Sequence, residues 1–291
     1  MVKKYSDLYL DARRALLQQE DAATAGMMAR NLLAHFTGKT QEEILSNLEM
    51  YAGDDICGKM EDAVQRLLQE EPLPYILGEW EFYGLKLTVT PNVLIPRDDT
   101  VAVASLAINQ GIFLPTEPRI LDLCTGSGCI GLAVASRIKD ARVTLADISK
   151  DALAVAKKNI VSHKLSARVS CIQADALKPA QAVLGKFDMI ISNPPYITGD
   201  EMKELPKSVS DFEPHLALFG GDDGLDFYRS IAENYSRALK SGGYLALEIG
   251  DTQGDDVCRI LEDHGYTILE RARDYNDRER AILAQYGRKE A

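Results

Sequence analysis

Between residues 119 and 249 the sequence repeats one unit, a short apolar run followed by a stretch with helical spacing. This alternation limits the possible folds more than any other feature. Ile120-Leu121-Asp122-Leu123, Val143-Thr144-Leu145-Ala146, residues 168–173, Met189-Ile190-Ile191 and residues 244–249 read as strands. Helices are predicted through Leu132, Ala133, Ala135 and Ile138, and through Leu153, Val155, Ala156 and Ile160 with Ser149 as cap. Two more are predicted over 226–239, closed by Ser241-Gly242-Gly243, and over 253–264, capped by Gly265. Repeated strand–helix units imply an α/β fold, a parallel sheet covered on both faces. Residues 266–271 and 281–286, around a charged turn, read as two closing strands in hairpin relation.

The fourth strand stops at Asn193-Pro194-Pro195-Tyr196. Neither proline can donate to a sheet ladder, and each biases the residue before it toward an extended backbone. The outcome is a rigid loop that presents an amide, backbone carbonyls and an aromatic ring at a strand's carboxyl end, where open α/β sheets bind ligands.

The first strand runs into Gly126-Ser127-Gly128-Cys129-Ile130-Gly131, a literal GxGxxG followed by a helix, with Asp147 at the end of the next strand. Glycines let a backbone approach a ligand closely, and a carboxylate at that strand tip can accept both hydroxyls of a ribose. The pattern indicates a nucleoside-containing cofactor and leaves NAD and S-adenosylmethionine open. The proline loop separates them, because hydride transfer has no use for it. Methyl transfer to a planar amide or amino nitrogen does. That nitrogen's lone pair is delocalised, so its N–H groups must be held and turned. The Asn193 side-chain oxygen and the Pro194 carbonyl can each accept one of those hydrogens, and Tyr196 can stack on the planar group.

The net charge of −11 argues against a protein that grips a phosphate backbone, since residues 1–71 hold 8 basic and 13 acidic side chains and the remainder is acidic too. Five cysteines without a CxxC pair, and four scattered histidines, give no metal site and no disulfide framework. There is no signal-peptide core and no run near the ~18 apolar residues of a membrane span. The expectation is a soluble cytoplasmic protein.

Residues 1–71 read as four amphipathic helices. Leu8, Ala12, Ala15 and Leu16 share the first apolar face, and Met27, Met28, Asn31, Leu32 and His35 the second, which ends at Gly38. Thr40-Gln41-Glu42-Glu43 is a capping box ahead of the third helix, and Met60, Ala63, Val64, Leu67 and Leu68 mark the fourth. Residues 72–95 read as a linker containing a β-hairpin around Gly84, and 96–291 as the α/β domain.

Taken together, Asp122-Leu123-Cys124-Thr125-Gly126-Ser127-Gly128, Ala146-Asp147-Ile148-Ser149, Asn193-Pro194-Pro195-Tyr196-Ile197, Glu213-Pro214 with Ala217-Leu218, Gly220-Gly221-Asp222-Asp223-Gly224-Leu225 and Leu247-Glu248-Ile249-Gly250 resemble the bacterial peptide chain release factor glutamine methyltransferases. Asn-Pro-Pro-Tyr alone is shared with adenine-N6 nucleic-acid methyltransferases; the block from Glu213 to Leu225 is the more specific part.

The resemblance implies a Rossmann-like methyltransferase sheet with a small N-terminal helical-bundle domain, serving substrate recognition, joined by a β-hairpin linker. It implies a monomeric cytoplasmic enzyme. With S-adenosylmethionine as cofactor and S-adenosylhomocysteine as product, it would methylate the glutamine nitrogen of the Gly-Gly-Gln motif in release factors, without contacting nucleic acid or membrane. By the same resemblance, Cys124, Thr125, Gly126, Ser127, Gly128, Asp147, Asp175, Ala176 and Asn193 hold the cofactor. Asn193, Pro194, Pro195 and Tyr196 hold the substrate, and Asn193, Pro194 and Tyr196 carry catalysis. Two positions depart from the family pattern. Cys124 stands where glycine is usual, which implies either ordinary torsions or a reshaped loop, and Asp98-Asp99 stand where Pro-Glu is usual. The alternatives are adenine-N6 methylation and a nucleotide-binding interaction module without turnover.

Overall fold

Short polar caps set the helices of the amino-terminal part. The computed structural model describes residues 3–287. Helix α1 (Tyr5–Leu16) is followed by α2 (Ala22–Thr37), which Asp21 caps through the N–H groups of Ala23 and Thr24 and Gly38 ends at φ 65°. The Thr40–Glu43 capping box starts α3 (Gln41–Ser46), and α4 is Asp54–Leu68. Helices α1, α2 and α4 pack on one another. Their buried face uses small residues where bulk was expected: α2 buries Ala25, Gly26, Ala29, Leu32 and Leu33, while Met27 and His35 are exposed. Close approach of two helices favours alanine and glycine over methionine at the contact. An unforeseen helix, α5 (Leu73–Leu77), begins at Pro72 and carries Pro74 in its first turn, where proline's fixed φ suits a helix.

The contact pattern separates Met1–Gly78 with Lys207–Phe212 from Glu79–Pro206 with Glu213–Ala291. The first unit therefore also holds the single turn α9 (Lys207–Ser210), and the boundary falls at Gly78, just ahead of the hairpin.

In the second unit, β1 (Glu79–Phe82) and β2 (Leu85–Thr88) form the hairpin, turning at Tyr83 and Gly84, both with positive φ. Two such residues give the turn twist that matches a right-handed hairpin. After α6 (Val101–Gly111) come β3 (Arg119–Leu123), α7 (Cys129–Arg137), β4 (Arg142–Asp147), α8 (Lys150–Ser162), β5 (Val169–Gln173) and β6 (Phe187–Ser192). The chain closes with α10 (Asp226–Ser230), β7 (Leu239–Glu248), α11 (Gly254–Asp263), β8 (Tyr266–Arg273) and β9 (Glu279–Tyr286).

The seven strands lie in the order β5-β4-β3-β6-β7-β9-β8; the first five are parallel, and β9 runs antiparallel to both its neighbours. Alternate residues serve opposite faces, as the pleat requires. Ile120, Val143, Leu145, Met189 and Ile191 pack with apolar residues of α6, α7 and α8. Leu121, Leu123, Ile190, Leu245 and Leu247 pack with Tyr228, Ile231, Tyr235, Val257 and Leu261. This is the α/β class read from the sequence.

One expectation is corrected. The helix predicted over 226–239 is α10 continued by a π-helical turn (Ile231–Tyr235), and Ser241-Gly242-Gly243 lies inside β7. The register jumps from Phe187↔Leu239 to Met189↔Tyr244. A glycine at φ 75° accommodates this bulge, so the glycines mark an irregular strand and not a helix stop.

Strand order reverses at β3, which sends the chain to β4 and β5 on one side and to β6 and β7 on the other. Such a switch point opens a crevice at the strands' carboxyl ends.

Candidate active site

Leu123 and Ser192 are register partners at the ends of β3 and β6, and the Ser192 hydroxyl donates to the Leu123 carbonyl at 2.7 Å. Cys124 and Asn193 are each the next residue. The glycine loop and the proline loop therefore leave the sheet side by side.

The glycine loop folds over Asp122. Its Oδ2 accepts the Thr125 hydroxyl at 2.6 Å and the Gly131 N–H at 2.8 Å, while Oδ1 is buried without a partner. Burial pushes this carboxyl up to about 7, against the pull of both bonds. Gly131 is required by space: a Cβ there would stand 2.3 Å from Leu145 Cδ2 and 2.8 Å from Asp122 Oδ2. Asn159 of α8, fully buried, donates to the Ser127 carbonyl at 2.9 Å and the Thr88 carbonyl at 3.0 Å, and accepts the Thr88 N–H at 2.7 Å. One side chain thereby pins the loop to β2.

Cys124 does not have ordinary torsions, since its φ is 59°. The left-handed region costs an L-residue about 1–2 kcal/mol and glycine nothing. Cys124→Gly is therefore expected to unfold at higher urea than Cys124→Ala, although glycine normally loses by about 0.4–1 kcal/mol through the unfolded chain. The reverse order in equilibrium denaturation would contradict the strain. Burial, and next the Asp147 carboxylate, push the Cys124 thiol up, so it is not a thiolate nucleophile.

Asp147 ends β4. Its Oδ2 accepts the Gly126 N–H and its Oδ1 the Ser149 N–H, each at 2.9 Å, which fixes the carboxylate against the loop. Burial raises its pKa while these bonds lower it. Asp175 accepts the Leu177 N–H at 2.9 Å and pairs with Lys178 at 3.1 Å.

On the other side of the crevice, Asn193 Nδ2 donates to Thr100 Oγ1 at 3.4 Å, which leaves its carbonyl oxygen for a ligand. The Tyr196 hydroxyl donates to Glu248 Oε1 at 3.4 Å. Burial, then the Glu248 charge, push that phenol up, so it remains a donor. The backbone behind is braced. Ile197 N–H donates to Leu218 O at 3.0 Å, Gly220 N–H to Ile197 O at 2.9 Å, and Gln253 Nε2 to Tyr196 O at 3.1 Å. Glu213, buried, accepts the Ile95 N–H at 3.1 Å and pairs with the Arg97 guanidinium, which fixes the 93–97 turn.

These parts line one cleft of about 140 Å³. Of the residues expected from sequence, Cys124, Thr125, Gly126, Ser127, Asp147, Asp175, Ala176, Asn193 and Pro195 line it; Gly128, Pro194 and Tyr196 do not. Gly128 instead packs, at φ 84°, where a Cβ would stand 3.0 Å from Leu145 Cδ1. Ile148, Leu177, Leu216 and Phe227 add apolar wall that sequence reasoning did not assign to the site. Leu94, Pro96, Arg97 and Thr100, from the turn that leads into α6, line it as well. Among the described residues no group of three or more His, Cys, Asp or Glu side chains is placed to share a metal ion.

The residues fit an adenosyl sulfonium cofactor. A Cβ at Gly126 would meet nothing within 4 Å, so the glycine leaves cleft space open. The Ser127 hydroxyl is buried without a partner at the same wall. Two carboxylates and an apolar wall match a ribose and a flat base.

A family model described as Methyltransferase small domain matches residues 99–208, and one described as PrmC N-terminal domain matches 8–78. The chain is 38% identical over 256 residues to the release factor glutamine methyltransferase of Clostridium acetobutylicum, covering 88% of this chain and 90% of that one. It is 41% identical over 222 residues to that of Fusobacterium nucleatum, covering 76% and 62%. Against the bifunctional methyltransferase of Rickettsia typhi, 35% identical over 271 residues, it covers 87% of itself and 52% of the relative, about half that protein's length. Among solved structures, the catalytic domain of hMettl16 in complex with MAT2A 3'UTR hairpin 1 superposes with a TM-score of 0.56 at 16% identity, over 81% and 82% of the two chains, which establishes a shared fold. At 38% identity over 88% of its own length and 90% of the Clostridium acetobutylicum relative's, this chain belongs to the release factor glutamine methyltransferase family.

Proposed function

We propose that this chain transfers a methyl group from S-adenosylmethionine to the side-chain nitrogen of the glutamine in the Gly-Gly-Gln motif of peptide chain release factors. The observation that carries the reading is the adjacency of Cys124 and Asn193 in one cleft, each one residue beyond a register pair. The cofactor, when bound, supplies an electrophilic methyl on a sulfonium centre. Asp147 and Asp175 would hold its ribose and adenine edges, and residues 124–127 its methionine part.

The chain's own work is positional. Asn193 Oδ1, turned outward by Thr100, and the Pro194 carbonyl accept the two N–H groups of the substrate amide and so aim its nitrogen. As the methyl bonds to nitrogen, positive charge grows there, and the same two oxygens stabilise it. Tyr196, outside the cleft lining, anchors the loop from behind through Glu248. Adenine could take the same grip, but a net charge of −11 disfavours binding to a phosphate backbone.

The helical unit provides the surface that recognises the release factor, and the enzyme acts as a monomer in the cytoplasm. Five free cysteines suit that reducing compartment. Among the described residues no helix is long and apolar enough to cross a membrane. Tandem mass spectrometry of a release factor incubated with enzyme and S-adenosylmethionine tests the reading. A methylated Gly-Gly-Gln glutamine is expected, and an unmodified peptide refutes it.

A further inference from the structure

The π-helical turn Ile231–Tyr235 continues α10 directly behind one wall of the cleft. Turns of this kind interrupt a regular helix and recur at functional sites. The wall in front of it is the chain that leaves β5, where Asp175, Ala176 and Leu177 line the cleft. Residues 174–181 form no helix or strand, so their shape depends on what holds them.

The turn holds them by three hydrogen bonds. The buried Tyr235 hydroxyl donates to the Asp175 main-chain carbonyl at 3.1 Å, which also accepts the Lys178 N–H at 3.1 Å. The Ser230 hydroxyl donates to the Ala176 carbonyl at 2.6 Å. The Asn234 side-chain amide donates to that same Ser230 oxygen at 3.0 Å, which commits the Ser230 hydrogen to Ala176. The Ala180 N–H donates to the Asn234 carbonyl at 3.5 Å. Ala174 and Ala176 share an apolar cluster with Ile231 and Tyr235.

The π geometry accounts for this grip. Ser230 and Tyr235 are five residues apart, a separation that in an α-helix turns the second side chain about 140° away from the first. A π-turn closes its hydrogen bonds from i to i+5 and brings the fifth residue back over the first. The two hydroxyls can therefore take the carbonyls of two consecutive residues.

The consequence falls on the peptide plane between residues 175 and 176. The bond is trans, so the Ala176 N–H points opposite to the Asp175 carbonyl. Tyr235 holds that carbonyl from the core, which turns the N–H to the other side, where Ala176 lines the cleft. This N–H donates to no described residue. Beside it stands the Asp175 carboxylate, which only accepts. A donor next to an acceptor complements adenine, whose N1 accepts and whose 6-amino group donates. Hypoxanthine has the opposite polarity at both atoms.

We propose that Ser230 and Tyr235 are positioning residues that fix the 175–176 peptide plane and thereby select adenine as the base of the cofactor. The inference rests on S-adenosylmethionine being the cofactor, as given under the proposed function. Hydrogen bonds weaken steeply as they bend, so a plane free to rotate would lose its preference for one base edge.

Calorimetry on the full-length enzyme tests this with two ligands, S-adenosylhomocysteine and its hypoxanthine counterpart S-inosylhomocysteine. Wild type is expected to favour the adenine ligand by about 10²-fold, because both edge contacts are mispaired in the other. Tyr235→Phe and Ser230→Ala each remove one hydroxyl, and each is expected to bring the preference below about tenfold by weakening the adenine ligand. Ser230→Thr retains the hydroxyl and should retain the preference. A turn that serves only as scaffold would weaken both ligands by one factor, or neither.

The inference is overturned if either folded hydroxyl-deleted variant keeps the wild-type ratio, or if Ser230→Thr loses it as fully as Ser230→Ala. Each deletion is read alone, so one that fails to fold leaves the other to decide. A wild type that binds neither ligand refutes the cofactor reading itself. A wild type that binds both alike refutes only the base selection proposed for this wall.

Discussion

Asn193→Ala is expected to lower kcat by about 10²–10³-fold, the loss found when one preorganised charge-stabilising group is removed from an active site. Cofactor affinity should stay at the wild-type value. The asymmetry follows from the division of labour at the end of the sheet. The glycine loop is built by Asp122, Asn159 and Asp147 without help from Asn193. The Asn193 side chain is tied to Thr100, and on the proposed reading its oxygen is the acceptor that aims a substrate nitrogen. An alanine removes that acceptor and leaves the Pro194 carbonyl alone, so an interaction formed in the transition state is lost while the cofactor wall is intact. Rapid-mixing transfer assays beside calorimetry decide it. Equal losses in rate and cofactor affinity would show that Asn193 serves the cofactor.

Gly220→Ala should have an effect of similar size from a residue that touches no ligand. A Cβ there would stand 2.6 Å from Tyr196 Cα, 2.7 Å from Pro195 O and 2.9 Å from Tyr196 C. All three are backbone atoms, which cannot rotate aside as a side chain can. The 193–196 segment must shift, at a cost of about 1–3 kcal/mol in stability for overpacking. A displacement near 1 Å costs about 10²-fold in rate, because aiming is the whole contribution of this loop. A wild-type rate in Gly220→Ala, with the melting temperature unchanged, would mean that the brace does not set the loop's position.

The strands were legible because a buried parallel strand is a continuous apolar run bounded by glycine, proline or aspartate, as at Ile120 to Leu123 or Met189 to Ile191. The start of β7 was not, because its bulge puts Ser241-Gly242-Gly243 inside a strand, and the same residues serve to end helices. Helix α5 lies inside the stretch read as a linker, where Pro72 and Pro74 gave no helical signal although both sit where a helix begins. In α2 the periodicity was seen but the wrong stripe chosen, since bulk at Met27 drew more weight than the small residues that allow close packing.

At the site, the local features could be read directly: glycines after a strand, an acid at the next strand tip, an amide before two prolines. Long-range supports could not. Nothing near Glu213 in sequence announces that it holds the Ile95 N–H, and nothing near Gln253 announces its hold on the Tyr196 carbonyl. Cys124 shows the converse. Its residue type left ordinary torsions or a reshaped loop open, and the structure shows neither: bonds such as Thr125 N–H to Ala146 O at 3.0 Å accompany the left-handed shape that a glycine would take.

The most direct test of the account is where a labelled methyl group goes when substrates compete. Enzyme and methyl-labelled S-adenosylmethionine would be supplied with a release factor, duplex DNA and RNA in one vessel, and the label located by mass spectrometry. The account predicts label on the Gly-Gly-Gln glutamine nitrogen and none on adenine. Label on adenine, or none on that glutamine, would contradict it.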